Sequence, residues 1–215
     1  MANSWAPFGL RSFGHRDGSA PTMGLQRFFM NSSDTVAVGA GDLVVQSTAA
    51  TAAGYVTGIS TTGTSPPTAG YVGVFQGCEF YNPSIGRVQW SQYWPGTISV
   101  TSAAGPVTAY VIADQQMQFI AQASTNNVLG SSNVGMNIGW CTSLANNPNT
   151  LNGQSQAGLA SSGITASASY AFRIVDIYQN FAPPGVNGTS TTEGGQIMVV
   201  VPNTWSQGTL TGVST

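Results

Sequence analysis

Apolar and polar residues alternate in short runs along most of the chain, and clusters of turn-forming residues separate these runs. Alternation over about four to eight residues is typical of a half-buried β-strand. No segment shows the apolar spacing of three and four residues, with a cap and a stop, that predicts an amphipathic helix. The pattern therefore predicts few helices, and strands over residues 24–31, 41–47, 55–60, 71–82, 87–94, 109–114, 117–124, 133–143, 168–179 and 195–203.

Turn signals predict how some of these strands are connected. Residues 83–86, Pro-Ser-Ile-Gly, have the length and composition of a four-residue hairpin connection. The short spacing between 109–114 and 117–124 predicts a second hairpin. Two stretches rich in Asn, Ser, Gly and Pro, 144–167 and 180–194, exceed the usual connection length, which predicts long loops that either form surface contacts or are mobile. The pattern as a whole predicts a single all-β domain, a sandwich or barrel of the jelly-roll type.

The central hairpin, residues 71–94, is expected to anchor the core. Trp90 is predicted to be a core residue, and Phe75, Tyr93 and Trp94 are assigned structural roles beside it. Gly73 and Gly77 are expected to let large aromatic rings of a neighbouring strand lie close to the backbone. The strict two-residue period of a strand divides its first half into one face with Val72, Val74, Gln76, Cys78 and Phe80, and another with Tyr71, Gly73, Phe75, Gly77 and Glu79. A sugar-binding groove formed by Trp90, Tyr93 and Trp94 is the alternative.

The amino-acid composition indicates which classes of function suit this fold. Of the 215 residues, 41% are hydrophobic, which is enough for a core, but 6% are charged, against about a quarter in an ordinary soluble domain. The five cations are all arginines, so the surface is expected to consist of Ser, Thr, Asn, Gln, Gly and exposed backbone. Because such a surface repels its own copies weakly, it favours an assembly component over a free enzyme. The net charge of −2 argues against a nucleic-acid partner, and apolar runs are too short to predict a membrane partner.

Charge and composition also predict a division of the chain. The first 30 residues carry three arginines and one aspartate, whereas the rest carries two arginines and six acidic residues. Residues 1–23 are interpreted as an arm that lacks its own core and packs on a partner; a frayed terminus is the alternative. Residues 24–215 are interpreted as the β domain, with a polar tail from about residue 203. The N-terminus lacks the apolar stretch of a secretory signal, so synthesis in the cytoplasm is expected.

Residue types suited to catalysis are scarce. The single histidine, His15, lies in a glycine-rich segment beside Arg16 and Asp17, and no nucleophile motif accompanies it. Carboxylates do not cluster in the sequence, so we predict no catalytic residues, no cofactor and no metal site. Cys78 and Cys141 both fall in predicted strands, where free buried thiols are favoured and a disulfide stays possible.

The chain resembles the capsid decoration, or cement, proteins of tailed bacteriophages. The most specific part of the resemblance is the central block, GVFQGCEFY followed by WSQYWPG. The polar C-terminal segment PNTWSQGTLTGVST extends beyond the usual end of the family. The resemblance runs through GLRSFGHRDGSAPTMGLQRFFM (9–30), GDLVV (41–45), GVFQGCEFY (73–81), WSQYWPG (90–96), AYVIAD (109–114), NTLNGQSQAGL (149–159) and FRIVDI (172–177).

This resemblance implies a structural, non-enzymatic protein of the virion. Family members bind the outer surface of an icosahedral head and bridge neighbouring major capsid proteins. The implied partners are the major capsid protein and further copies of the chain, as dimers or trimers on capsid symmetry axes. Our hypothesis for the capsid-binding arm comprises Trp5, Phe8, Arg11, Phe13, Arg16 and Arg27. A head fibre or host-surface carbohydrate-binding module is the alternative function, and a glycan hydrolase is a third, disfavoured by the few carboxylates.

Overall fold

The described part of the chain contains fourteen β-strands and one short 3-10 helix, joined by turns and irregular connections. The computed structural model describes residues 6–20, 24–32, 34–47, 55–59, 70–96, 107–124, 129–141, 148–166, 170–178 and 195–203. Within these ranges there is no α-helix, and therefore no helix long and apolar enough to cross a membrane. The strands are β1 (Arg11–His15), β2 (Leu25–Met30), β3 (Val38–Gly39), β4 (Leu43–Gln46), β5 (Val56–Gly58), β6 (Tyr71–Asn82), β7 (Arg87–Ser91), β8 (Tyr93–Trp94), β9 (Val107–Ile112), β10 (Met117–Gln122), β11 (Asn137–Cys141), β12 (Gly158–Thr165), β13 (Phe172–Ile177) and β14 (Ile197–Pro202).

Five strands close into a small barrel. Their order is β4-β5-β2-β9-β6, and β6 pairs again with β4 to complete the ring. The β2–β5 pair is parallel, whereas the other four pairs are antiparallel. Strand β7 extends the sheet outside the ring by pairing with β6. Apolar side chains fill the interior: Met30, Val38, Val44, Val56, Val72, Phe75, Cys78, Phe80, Trp94, Val107, Ala109 and Val111.

A six-stranded antiparallel sheet covers one side of this barrel. Its order is β1-β10-β14-β13-β11-β12. A second buried cluster lies between the two, to which the barrel wall contributes Leu43 and Val74, and the sheet contributes Phe119, Phe172 and Met198. The prediction of an all-β barrel or sandwich is therefore confirmed. Another part of the outer barrel wall carries exposed side chains, and the candidate site described below lies there.

The first described segment belongs to the body of the protein. Strand β1 pairs antiparallel with β10, so that Arg11 lies opposite Ile120. Leu10 is buried in the cluster between barrel and sheet. The interpretation of residues 1–23 as an arm without a core is therefore wrong over this stretch, because β1 satisfies its backbone in the sheet and Leu10 adds to the shared core.

Strands β9 and β10 do not form the predicted hairpin. Strand β9 pairs with β2 and β6 in the barrel, whereas β10 pairs with β1 and β14 in the other sheet. The chain crosses between the two layers in the connection at 113–116, where the backbone N–H of Gln116 donates to the carboxylate of Asp114. The predicted loop 144–167 is also wrong in its second half, because β12 occupies part of it; the loop at 180–194 and the tail from 204 lie outside the described residues.

Two β-bulges break the two-residue period of β6. In the pairing with β4, Gly73 and Tyr71 lie opposite two residues that are adjacent along β4. Val72, which lies between them in β6, is therefore an extra residue. In the pairing with β9, Phe75 and Gly77 lie opposite two residues that are adjacent along β9, so Gln76 is an extra residue of β6. Between the bulges the faces are exchanged: Val74 faces the second sheet and Phe75 faces the barrel interior. The predicted division of this strand into faces is therefore wrong at its centre, because each bulge shifts the alternation by one residue.

Cys78 is a free thiol buried in the barrel interior. Its sulfur lies 3.7 Å from the backbone oxygen of Tyr93, and burial raises the pKa of the thiol to about 12. Cys78 is therefore neutral at ordinary pH and acts as a small apolar core residue. The side chain of Cys141 lies outside the described residues.

A tight turn at residues 39–42 joins the barrel to the chain segments around it. The backbone N–H of Leu10 donates to Gly41, that of Gly41 donates to Phe75, and that of Ser155 donates to Ala40. The buried carboxyl of Asp42 holds the turn from within: it accepts hydrogen bonds from the N–H of Gly39 at 2.6 Å and from the hydroxyl of Ser155 at 2.5 Å. Burial raises the pKa of Asp42 from 3.8 to about 7, against the opposing effect of these two hydrogen bonds.

We expect Asp42 to make the folded protein less stable as the pH rises. Between 3.8 and about 7 the folded state retains a proton that the unfolded chain releases, so stability falls across this window. The slope from this group approaches about 1.4 kcal/mol per pH unit. Asp42→Asn keeps the shape of the side chain but removes the titrating group, so the contribution of Asp42 to the slope should be lost. Denaturant unfolding at a series of pH values measures it.

The exposed Asp176 provides the control for this measurement. Asp176→Asn should retain the pH dependence of the wild type. Equal slopes for the wild type and Asp42→Asn would contradict the buried, proton-retaining state of Asp42.

Candidate functional site

Four neighbouring strands present one continuous surface on the outside of the barrel, beyond the part of the wall that packs against the second sheet. Cross-strand pairing aligns Phe29, Thr108, Glu79 and Trp90 in one row across β2, β9, β6 and β7. Since directly paired residues of a sheet point to the same face, these four side chains lie side by side. We call this surface the outer barrel face, and it consists of Arg27, Phe29, Glu79, Val88, Trp90, Thr108 and Tyr110.

Large apolar side chains on this face are exposed. The exposed fraction is 49% for Phe29, 53% for Trp90 and 67% for Val88. Alternation along β2 explains one of them, because Phe28 packs against the barrel interior and its neighbour must then point outward. Phe29 also contacts Tyr55 at the start of β5, with 6.1 Å between the ring centroids. The aromatic surface thus continues around the barrel wall.

The indole of Trp90 lies close to the backbone at Gly77, where the missing side chain leaves room for it. A Cβ atom at Gly77 would come within 2.9 Å of the Trp90 ring. The expectation that this glycine admits an aromatic ring is confirmed. Gly73 differs: a side chain there would meet the backbone of Ile112 and the side chain of Val111, neither of which is aromatic. One surface of the indole therefore covers the glycine backbone, which leaves the other part of the ring exposed.

The charged residues of the outer barrel face, Arg27 and Glu79, both interact with Tyr110. The guanidinium of Arg27 lies 5.7 Å from the ring centroid of Tyr110, which is cation–π contact distance. A hydrogen bond with Glu79 is the main cause that raises the pKa of the Tyr110 hydroxyl. Tyr110 thus connects one cation and one anion, and the aromatic residues flank this group. The surface is suited to burying apolar area against a partner, with polar contacts at its centre.

The structure does not bring the residues of the predicted capsid-binding arm together at one place. Arg11 packs over the ring of Phe8 at 5.1 Å, and Phe13 makes an edge-to-face contact with Tyr178 at 5.6 Å. Arg16 is exposed just beyond β1. Two members of the arm lie elsewhere. Arg27 belongs to the barrel, in a different sheet from β1, and Trp5 lies outside the described residues.

Among the hairpin residues that were assigned structural roles, Phe75 and Trp94 are buried, whereas Trp90 is exposed. The indole N–H of Trp94 donates to the backbone oxygen of Asp34 at 3.0 Å, and its ring packs edge-to-face on Phe80 at 5.3 Å. The prediction of Trp90 as a core residue is wrong, since β7 lies outside the closed ring. The alternative groove of Trp90, Tyr93 and Trp94 is not formed either, because Trp94 is enclosed and Tyr93 is half-buried.

His15 has a local structural role. Its ring nitrogens lie 2.7 Å from Asp17 and 3.1 Å from Asp114, so it connects β1 to the crossing connection at 113–116. The hydrogen bond to Asp17 is the main cause that raises the pKa of His15, and Asp114 adds to it. Within the described ranges, no group of three His, Cys, Asp or Glu residues is placed to hold a metal ion.

Sequence reasoning missed Phe29, Tyr110 and Val88 as surface residues. The adjacent pair Phe28-Phe29 in an alternating strand was the available signal, because both rings cannot point into the same core.

The comparisons with known proteins add no relative: no family model, no curated protein and no solved structure matches the chain.

Proposed function

We propose that the protein is a structural component of a phage virion, where it binds the outer surface of an icosahedral head and stabilises the shell by bridging major capsid proteins. The observation that carries this proposal is the outer barrel face, an exposed aromatic surface on a rigid, closed barrel. The motif resemblance to cement proteins and the charge-poor composition support it. Proteins that pack at high density can tolerate a surface with so few charges.

Many weak contacts suffice for this function. A shell offers a large number of equivalent sites, and simultaneous engagement of several sites raises the overall affinity far above that of one contact. A protein that binds the assembled shell and not its separated subunits stabilises the shell by mass action. Dimers or trimers of the chain, placed on capsid symmetry axes, would use this effect most fully.

The arm hypothesis is retained in a revised form. Arg11 and Phe13 stay candidates for capsid contact, because both are exposed on β1. Deleting residues 2–23 would not test this contact, since the deletion removes a paired strand and the buried Leu10. Loss of binding by the truncated chain would then follow from damage to the body. Point substitutions on the surface are the suitable test.

Cosedimentation with expanded, undecorated heads tests the proposed function. We expect saturable binding at a fixed number of copies per capsid subunit, and a higher temperature of head disruption in the decorated particles. Absence of binding, or binding that leaves the disruption temperature unchanged, would contradict a cement role.

A host-surface carbohydrate-binding module is the second candidate. The exposed Trp90, near Phe29 and Tyr110, favours it because flat aromatic rings on a sheet also stack on sugar rings. A glycan array probed with the full chain distinguishes the two functions. Glycan binding together with no affinity for heads would establish this alternative.

A further inference from the structure

A polar cleft separates β1 from the barrel. It has a volume of about 390 Å³, and its polar lining includes Arg11, Ser12, Gly41, Gln76, Gln92 and Gln154. The floor is rigid, since the turn at 39–42 is fixed by the backbone bonds to Leu10, Phe75 and Ser155 described above. The bulge in β6 produces one of the lining residues, because Gln76 is the extra residue at that position.

The amides that line this cleft have unused hydrogen-bonding groups. The side chains of Gln76, Gln92 and Gln154 make no hydrogen bond to any described residue. Each of them offers one acceptor oxygen and two N–H donors, the same groups that a peptide bond presents. Three such amides around one cleft match a ligand that carries alternating donors and acceptors.

The strand beside the cleft lies at the edge of its sheet. Strand β1 is the terminal strand of the six, and within the described residues it pairs with β10 alone. An edge strand presents N–H and C=O groups that can pair with an added strand. Arg11 and Ser12, at the start of β1, and the preceding Leu10 line the cleft, and the N–H of Leu10 is already donated to Gly41.

Charge specifies the ligand further. Arg11 is the charged residue among the described lining residues, and none of the others carries a carboxylate. Its side chain shares a face of the sheet with Ile120 and packs over Phe8, so a carboxylate opposite Arg11 on a strand added at this edge would lie beside its guanidinium. A guanidinium binds a carboxylate with two parallel hydrogen bonds. The carboxyl of Asp42 lies behind Gly41, is buried, and faces Gly39 and Ser155 instead of the cleft.

We propose that this cleft binds an extended polypeptide segment that carries a carboxylate and lies along the edge of β1. The main chain of the segment pairs with the strand edge and with the glutamine amides, and its carboxylate pairs with Arg11. A saccharide is the less suitable ligand, because the described lining residues include no aromatic ring that could stack on a sugar. The inference does not depend on the outer barrel face, which is a different surface; Arg11, which lines the cleft, is also a candidate for capsid contact.

Selection from a display library of random peptides of about ten residues tests this proposal with the full chain. We expect enriched peptides to share an acidic residue. Arg11→Gln and Gln76→Glu should each weaken the binding of the synthesised peptides by about tenfold or more, since each change affects a hydrogen bond to the ligand. Gln92→Glu, at an exposed position, provides a second variant if Gln76→Glu does not fold.

Arg87→Gln and Gln116→Glu are the matched controls, because both residues are exposed and lie outside the cleft lining. They should leave peptide affinity unchanged. The proposal is overturned if no peptide is enriched, or if the cleft variants bind as well as the wild type. Glycans on an array whose binding is lost in the cleft variants would overturn it in favour of a saccharide site.

Discussion

Trp94→Ala is expected to lower the free energy of unfolding by about 3–5 kcal/mol, the usual cost of removing a fully buried tryptophan. The side chain fills the barrel interior, packs on Phe80 and donates its indole N–H to Asp34. Alanine leaves a cavity beside Phe80 and a backbone oxygen without this donor. Denaturant unfolding at fixed pH measures the change.

Trp90→Ala is the matched control, since it removes the same side chain from the same hairpin. Because Trp90 is half exposed and outside the barrel interior, we expect a loss of about 1 kcal/mol or less. Equal losses for the two variants would show that Trp90 is enclosed in solution, and would contradict the outer barrel face as described.

The double substitution Val88→Glu with Trp90→Glu is expected to reduce the affinity for undecorated heads by about a hundredfold or more. Two carboxylates would have to be desolvated within the proposed contact, and this cost replaces the free energy that burial of the two apolar side chains contributes there. The body should remain folded, since both side chains are exposed. Cosedimentation at increasing protein concentration measures the affinity, and thermal unfolding verifies the fold.

Val134→Glu with Met136→Glu provides the control for this variant. These residues are also apolar, exposed and two positions apart, but they precede β11 in the second sheet. The control adds the same charge, so any general repulsion from the capsid would affect both variants. Full capsid occupancy by the Val88→Glu, Trp90→Glu variant would exclude the outer barrel face and direct attention to Arg11 and Phe13 on β1.

Local sequence patterns were sufficient for the fold class and for the central hairpin. The connection at 83–86 forms as predicted, with Gly86 at a φ of 67°, and β6 and β7 pair in register across it. The hairpin depends on adjacent residues, so composition and spacing determine it. The same reasoning failed for β9 and β10, because proximity along the chain does not reveal that two strands belong to different sheets.

The candidate site was less accessible to sequence reasoning. Whether Trp90 is buried depends on barrel closure, which pairs β6 with β4 and leaves β7 outside. That pairing joins residues far apart in the sequence, and no local pattern encodes it. For residues 1–23, composition indicated an independent arm. Part of this segment nevertheless belongs to the body, because β1 pairs with β10 and Leu10 is buried.

The position of β14 determines when the protein can fold during synthesis. Ile197–Pro202 lies between β10 and β13 and is the strand that joins the two parts of the six-stranded sheet. Until the ribosome has released these residues, the described backbone connection of β1 and β10 to β11, β12 and β13 is limited to the bridge between Ala123 and Leu159. The last strand of the closed barrel ends at Ile112, so the barrel strands can assemble first. Until the second sheet forms, the apolar residues of the barrel wall that pack against it stay exposed to solvent. A premature stop before residue 197 would leave that wall without its completed sheet and would produce an aggregating fragment instead of a shorter functional protein.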